Sequence, residues 1–372
     1  MITIIEANTP ALMKSFVMFP FGLYKNDSNW VPPLIQDELD TFDPKKNPSF
    51  SNAEAYFYLA YQDGKIVGRI AAIINWEEVN HQQKSKVRFG WWDVIDDLEV
   101  TKALLEKVYA LGKKNNLSFV EGPMGFSNLD KVGVVTEGFD RIASMITWYN
   151  FPYYKNHLEA LGYEKEKEYI ESHFSFSNVD IAPYKKAGEL IRKRYGYVSK
   201  SFQSTREILP YIDEMFALFN ESYARLSSFV AINQIQIDYI KEKNIKLINP
   251  EYIKFVFDKE GKMVAFGIVM PSFSKALKKA KGRLFPFGFL HLLRAKKHHD
   301  EVLFYLIGVD PEHQNKGVTA LIFEEYYDSF TKNGVQNCIR TPELEDNLAI
   351  QNIWKNFNSE IFRRRRTYTK AL

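Results

Sequence analysis

One order of elements occurs twice along this 372-residue chain, and that repetition limits what it can fold into. In the first half, two β-rich runs between Ala55 and Asn75 meet at Gln62-Asp63-Gly64-Lys65, a hairpin signal. A strand pattern from Val87 to Val94 follows. Next come Leu104, Leu105, Val108 and Leu111 at helical spacing within Leu98 to Asn115, and then a strand from Leu117 to Glu121. The second half gives a hairpin from Tyr252 to Met270 turning at Lys259-Glu260-Gly261-Lys262, a strand from Val302 to Val309, a helix from Val318 to Phe330 and a strand from Val335 to Thr341. Each half closes with a helix (Tyr153 to Leu161; Ala349 to Phe357) and a strand (Tyr169 to Phe176; Ile361 to Tyr368). Two copies of one α+β unit, divided near Val179 into domains 1–178 and 179–372, account for this order and for a chain too long for one typical core.

A hydrophobic fraction of 45% and an aromatic fraction of 15% imply well-filled cores or an apolar ligand channel rather than disorder. The net charge of +3 is too small for bulk electrostatics to point to nucleic acid, and no nucleic-acid motif accompanies it. Cys338, the single cysteine, can form no intramolecular disulfide, which fits a reducing compartment. Met-Ile-Thr-Ile-Ile at the start lacks a basic leader segment, and no apolar run approaches the ~20 residues that span a bilayer, so a cytoplasmic location is expected. The seven histidines show no metal-ligand spacing, and no metal is expected.

Val309-Asp-Pro-Glu-His-Gln-Asn-Lys-Gly-Val-Thr319 joins an apolar strand to a helix through a Gly-bearing turn. Such a turn leaves backbone N–H groups unpaired at a helix N-terminus, which makes a receptor for phosphate. Within it, Gln314-Asn-Lys-Gly317-Val-Thr319 resembles the Gln/Arg-x-x-Gly-x-Gly/Ala motif of the GNAT superfamily of acyl-CoA-dependent acyltransferases, with Thr319 in place of the small residue. Downstream, Asn347-Leu-Ala-Ile350-Gln-Asn-Ile353-Trp354 is similar to that family's Asn-x-x-Ala-x-x-Leu-Tyr segment, with Trp354 where many members carry an acidic tyrosine. Gly122-Pro123, Glu137-Gly138-Phe139-Asp140 and Tyr149-Asn-x-Pro152-Tyr153-Tyr154 resemble segments of tandem GNAT-like bacterial proteins. The resemblance implies an α+β (α/β) fold of tandem domains, each a mixed, mostly antiparallel sheet with helices on both faces. It implies acyl-CoA as cosubstrate, held by Val309, Gln314, Asn315, Lys316, Gly317, Val318, Thr319, Asn347 and Trp354. The first half looks like a degenerate copy, because Asp96-Asp-Leu-Glu-Val-Thr101 has no glycine and puts carboxylates where a diphosphate needs donors.

The reaction so implied is N-acyl transfer to a primary amine, of a small molecule or a lipid. It needs a proton acceptor, a polarised thioester and an oxyanion donor. Glu343 and Glu345, beyond the strand ending at Thr341, are candidate bases; the backbone N–H groups near Gly308 and Val309 are candidate oxyanion donors, and Tyr305 is a candidate catalytic residue lining the channel. The alternative is a non-catalytic acyl-CoA or lipid-binding protein that keeps the phosphate turn. Tandem copies can satisfy each other's contacts, which favours a monomer.

Between the second hairpin and its strand, residues 272–299 carry eight lysines and arginines and no acid around the apolar centre Leu284 to Leu293. Three readings stand: two helices covering the core, a cluster that attracts CoA phosphates, or contact with an anionic membrane surface, with the protein peripheral at the inner membrane face. The run Arg363 to Arg366 reads as a solvated strand edge, since alternate arginines point to opposite faces.

Overall fold

The computed structural model describes residues 1–127, 129–226, 229–243 and 248–372. The first half runs β1 (Ile2–Glu6), α1 (Pro10–Leu23), α2 (Ile35–Thr41), β2 (Ala53–Gln62), β3 (Lys65–Asn75), α3 (Trp76–Asn80) and β4 (Lys86–Val94). It continues with α4 (Leu98–Lys114), β5 (Phe119–Gly122), β6 (Val134–Glu137), α5 (Tyr153–Ala160) and β7 (Glu164–Ser175). The second half runs α6 (Ala182–Tyr195), β8 (Val198–Ser201), α7 (Thr205–Ile208), α8 (Ile212–Tyr223), α9 (Gln234–Lys243), β9 (Ile253–Phe257) and β10 (Met263–Pro271). There follow α10 (Ser274–Ala280), α11 (Gly288–Lys297), β11 (Glu301–Val309), α12 (Thr319–Asn333), β12 (Asn337–Leu344), α13 (Leu348–Trp354) and β13 (Glu360–Ala371).

Both hairpins, both strand–helix–strand units and both closing helix–strand pairs expected from the sequence are present. In each half the apolar stripe of the long helix sets its packing. Leu104, Leu105 and Val108 of α4 pack on Ile70, Val87 and Phe89, while Leu321, Ile322 and Tyr326 of α12 pack on Val264, Phe304 and Phe174. The other sheet faces are covered by α1, through Phe16 and Val17, and by α8, through Met215, Phe216 and Phe219.

The two half-sheets merge into one 13-stranded sheet of order β1-β2-β3-β4-β5-β13-β7-β12-β11-β10-β9-β8, with β6 added on β13. The closing strands are therefore exchanged: β13 completes the first half's sheet beside β5, and β7 completes the second half's beside β12. The chain boundary near Val179 does not coincide with the division of the sheet.

Charge explains the central pairing and corrects the reading of Arg363 to Arg366 as a solvated edge. Arg363 and Arg365 are 1% and 0% exposed, and both meet the carboxylate of Glu171 on β7, itself 1% exposed. Arg366 pairs with Glu168 at 2.8 Å and Arg364 with Glu345 at 2.7 Å. Buried cations persist only where carboxylates and carbonyls replace water. Here Arg363 also donates to Gly138 O at 3.0 Å and Arg141 O at 2.6 Å, which ties the segment after β6 onto the sheet. Gly138, at φ +79°, lies so close to β13 that a Cβ would sit 2.0 Å from Phe362 O.

Candidate functional site

In the second half β11 and β12 run parallel only from Glu301 to Phe304 against Asn337 to Arg340. A bulge at Tyr305 shifts β11 against β10, since Leu306 faces Ile268 while Phe304 faces Val269. Bulges bend and twist a strand. From Tyr305 onward β11 leaves β12, and a gap opens between them.

Backbone direction assigns the groups that face this gap. Asp310 N–H donates to Val264 O on β10 at 2.9 Å, so by strand alternation the N–H of Val309 points the other way, into the gap. Ile307 O points the same way and accepts from the hydroxyl of Tyr223 on α8 at 3.1 Å. Burial pushes the Tyr305 hydroxyl up to about 12, and the Asp130 charge adds to the rise; this hydroxyl makes no hydrogen bond among the described residues. Burial also raises Tyr223. Both are therefore neutral donors at ordinary pH. Tyr223 was not legible as a site residue, because its place over the gap follows from how α8 packs.

The turn after β11 is built from its own residues. His313 N–H donates to Asp310 O at 2.8 Å, Lys316 N–H to His313 O at 3.2 Å, and Glu312 N–H to the Asp310 carboxylate at 2.8 Å. Lys262 holds that carboxylate at 2.8 Å, and Tyr197 anchors the His313 ring at 2.6 Å. The N–H groups of Gln314, Asn315, Gly317 and Val318 make no hydrogen bond among the described residues. Gly317 turns the chain at φ +74°, and a Cβ there would lie 2.9 Å from Ile191 Cδ1. Val318 is the N-cap of α12 and offers no side-chain cap, so no side chain at this position satisfies the donors of the helix end. Thr319 is the first helical residue and is half-buried. Asp310, Glu312 and His313 bring ligand atoms within 4.8 Å of one another, yet Lys262 and Tyr197 already engage two of the three.

The corresponding parts of the first half are closed. Asp97 caps α4 by accepting from Glu99 N at 2.9 Å and Val100 N at 3.4 Å. The gap beyond the parallel stretch of β4 and β5 is stitched by Met124 N–H to Phe89 O at 2.8 Å. Arg88 also donates to Gly125 O at 2.8 Å. A diphosphate would meet there a helix end already capped by a carboxylate, beside strands tied to each other.

The candidate carboxylates are engaged. Glu343, near the end of β12, faces α13, where it receives the Trp354 indole at 2.8 Å, the Gln351 amide at 3.4 Å and the Arg340 guanidinium. Burial lifts its pKa above the usual carboxylate range, against the pull of Arg340. Glu345 is half-exposed and paired with Arg364 at 2.7 Å. Both oxygens of Glu343 already hold partners, which revises its sequence reading as a base, whereas Glu345 engages Arg364 through Oε1 alone. Trp354, 2% exposed among Phe304, Phe323 and Phe357, is a core residue, and Asn347 caps α13 by accepting from Ile350 N at 3.4 Å. Glu343 thus braces α13 on β12.

The folded state holds the Glu343 proton more tightly than the unfolded chain does, where the group titrates at about 4.3. Its contribution to stability is fully present below that value and is lost as pH rises through the raised one. Glu343→Gln is expected to remove this slope in denaturation midpoints measured across the acid range, and to leave the acidic limb of any transfer activity in place. Loss of that limb would make Glu343 a base after all.

No protein-family model matches the chain. Protein YghO of Escherichia coli strain K12 is 26% identical over 367 residues, covering 97% of this chain and 93% of that one. Bacterial ceramide synthase of Caulobacter vibrioides is 24% identical over 383 residues, covering 100% and 98%. Among solved structures, a tandem GNAT protein from the clavulanic acid biosynthesis pathway superposes with a TM-score of 0.60 at 12% identity, over 100% of this chain and 98% of that one. A GCN5-related N-acetyltransferase from Sphaerobacter thermophilus gives 0.54 at 10% identity, over 100% and 95%. These likenesses show the fold.

Proposed function

We propose, from the premise that this chain has the tandem GNAT fold, that it transfers an acyl group from acyl-CoA to the primary amine of a long-chain acceptor. The observation that carries the proposal is the row of free amides at Gln314, Asn315, Gly317 and Val318, at the start of a helix and beside a gap in the sheet. Those amides and the helix dipole would hold the diphosphate of CoA. The pantetheine arm would then follow β11, with its thioester at the gap.

There the N–H of Val309 faces the thioester carbonyl and would stabilise the oxyanion formed as the amine attacks, a contribution of roughly 10²- to 10³-fold in rate. Collapse of that intermediate forms the amide bond and breaks the C–S bond, releasing CoA thiolate. Tyr305, held neutral by burial, supplies a donor beside the departing sulfur, while the Tyr223 hydroxyl stays on Ile307 O. With Glu343 and Glu345 engaged, the amine loses its proton to water, so the rate is expected to rise with pH along the titration of the amine itself.

A long-chain acceptor is supported by the similarity to a protein named for making ceramide, the amide of a long-chain amine, and by the apolar residues exposed on the insert 272–299. The test is mass spectrometry of products from hexadecanoyl-CoA with a sphingoid base or with ethanolamine. The long-chain amide should form at least about tenfold faster, the scale on which apolar contacts discriminate substrates. CoA binding without product from either amine would instead favour the non-catalytic binder.

A further inference from the structure

The insert is divided between two opposite environments. α10 faces inward, with Ala276, Leu277 and Ala280 buried and Leu277 packed on Val31 and Ala143 of the first half, so this part covers the core as one sequence reading expects. α11 and the loop before it face outward. Phe285 is 78% exposed, Phe287 70%, Leu290 51% and Leu293 59%, a concentration of large apolar side chains that water does not stabilise. Leu290 and Leu293 share their face of α11 with Arg294 and Lys297, one and two turns on. At the other end of the apolar tip stand Lys279, Lys281 and Arg283, along a groove of ≈ 370 Å³ floored by Met18 and Phe21 of α1.

None of those five cations forms an ion pair among the described residues, and 272–299 contains no acid. An apolar tip flanked on both sides by unpaired cations fits a partner that is negative at its surface and hydrocarbon just beneath. No described helix is long and apolar enough to cross a membrane. We propose that the α11 face, with Phe285 and Phe287, docks this protein on an anionic lipid bilayer, the four apolar side chains entering the headgroup boundary and the five cations meeting lipid phosphates. The proposal does not depend on CoA binding or on transfer.

Flotation with phosphatidylcholine vesicles, with and without phosphatidylglycerol, tests it. The protein should float with the anionic vesicles, remain behind with the neutral ones, and be released by high salt. The charge variant K279E/K281E/R283E/K297E and the apolar variant F285S/F287S/L290S/L293S should each reduce the bound-to-free ratio by at least about tenfold, with thermal midpoints unchanged because these side chains are exposed. Phe287→Trp gives an independent reading: the emission of the introduced indole should shift to the blue on anionic vesicles alone. Wild-type protein that stays with the unbound fraction, floats equally with neutral vesicles, or floats undiminished after either set of substitutions overturns the proposal, and so does an unmoved emission spectrum in the F287W protein.

Discussion

Glu171→Ala is expected to abolish cooperative folding or reduce it to a remnant. Its carboxylate is the shared partner of Arg363 and Arg365, all three are 1% exposed or less, and it links β7 to β13 at the strand exchange. Breaking a buried pair by removing one partner costs about 3–5 kcal/mol, because the charge left behind has lost its water and found nothing else. Two cations lose their counter-charge here, Arg363 keeping its carbonyl partners Gly138 O and Arg141 O, against a total stability of about 5–15 kcal/mol for a typical domain. Arg365 already has one guanidinium nitrogen without a partner, so it has little spare hydrogen bonding to fall back on. Urea denaturation followed by circular dichroism gives the loss directly. A change under about 1 kcal/mol would show that water reaches these arginines and that the exchange is held by other contacts. Replacing Glu171, Arg363 and Arg365 together by methionine should recover much of what the single substitution loses, since apolar side chains of similar volume can substitute for a buried ion cluster.

The exchange was hidden from the sequence because strand periodicity fixes which residues share a face, not which strand lies alongside. Arg363 to Arg366 alone read as solvated, and only the carboxylates of Glu168 and Glu171 on β7 show why the run is central. That complementarity between one acidic and one basic strand was present in the sequence and could have been used. Local features were legible: the two hairpins from their Gly turns, α4 and α12 from their apolar stripes, and the turn at Gly317 from a strand meeting a glycine before a helix. The candidate site was legible where it rests on backbone, as at Gly317 and Val309. It was misread where it rests on side chains, since Glu343 lies under α13 and Tyr223 arrives from α8, and neither placement follows from neighbours in the chain.

Gly317→Pro is expected to reduce CoA affinity by about a hundredfold or more. Proline fixes φ near −65° and has no N–H, so it removes one of the free donors and cannot adopt the +74° that aims the others. Gly317→Ala should fall between wild type and proline, because it keeps the N–H but brings a Cβ to 2.9 Å from the flexible end of Ile191 in a left-handed turn. Isothermal titration of each variant, with thermal melts to confirm folding, gives the two affinities. Equal affinity for wild type and both variants would mean that the turn does not touch the ligand.

Comparing CoA with pantetheine in a calorimetric titration of the wild-type protein tests the central claim most directly. If the amides of Gln314, Asn315, Gly317 and Val318 hold the diphosphate, CoA gives a saturable heat and pantetheine, which lacks the diphosphate, gives one at least about tenfold weaker in affinity. No heat with CoA, or equal affinity for the two compounds, would contradict it.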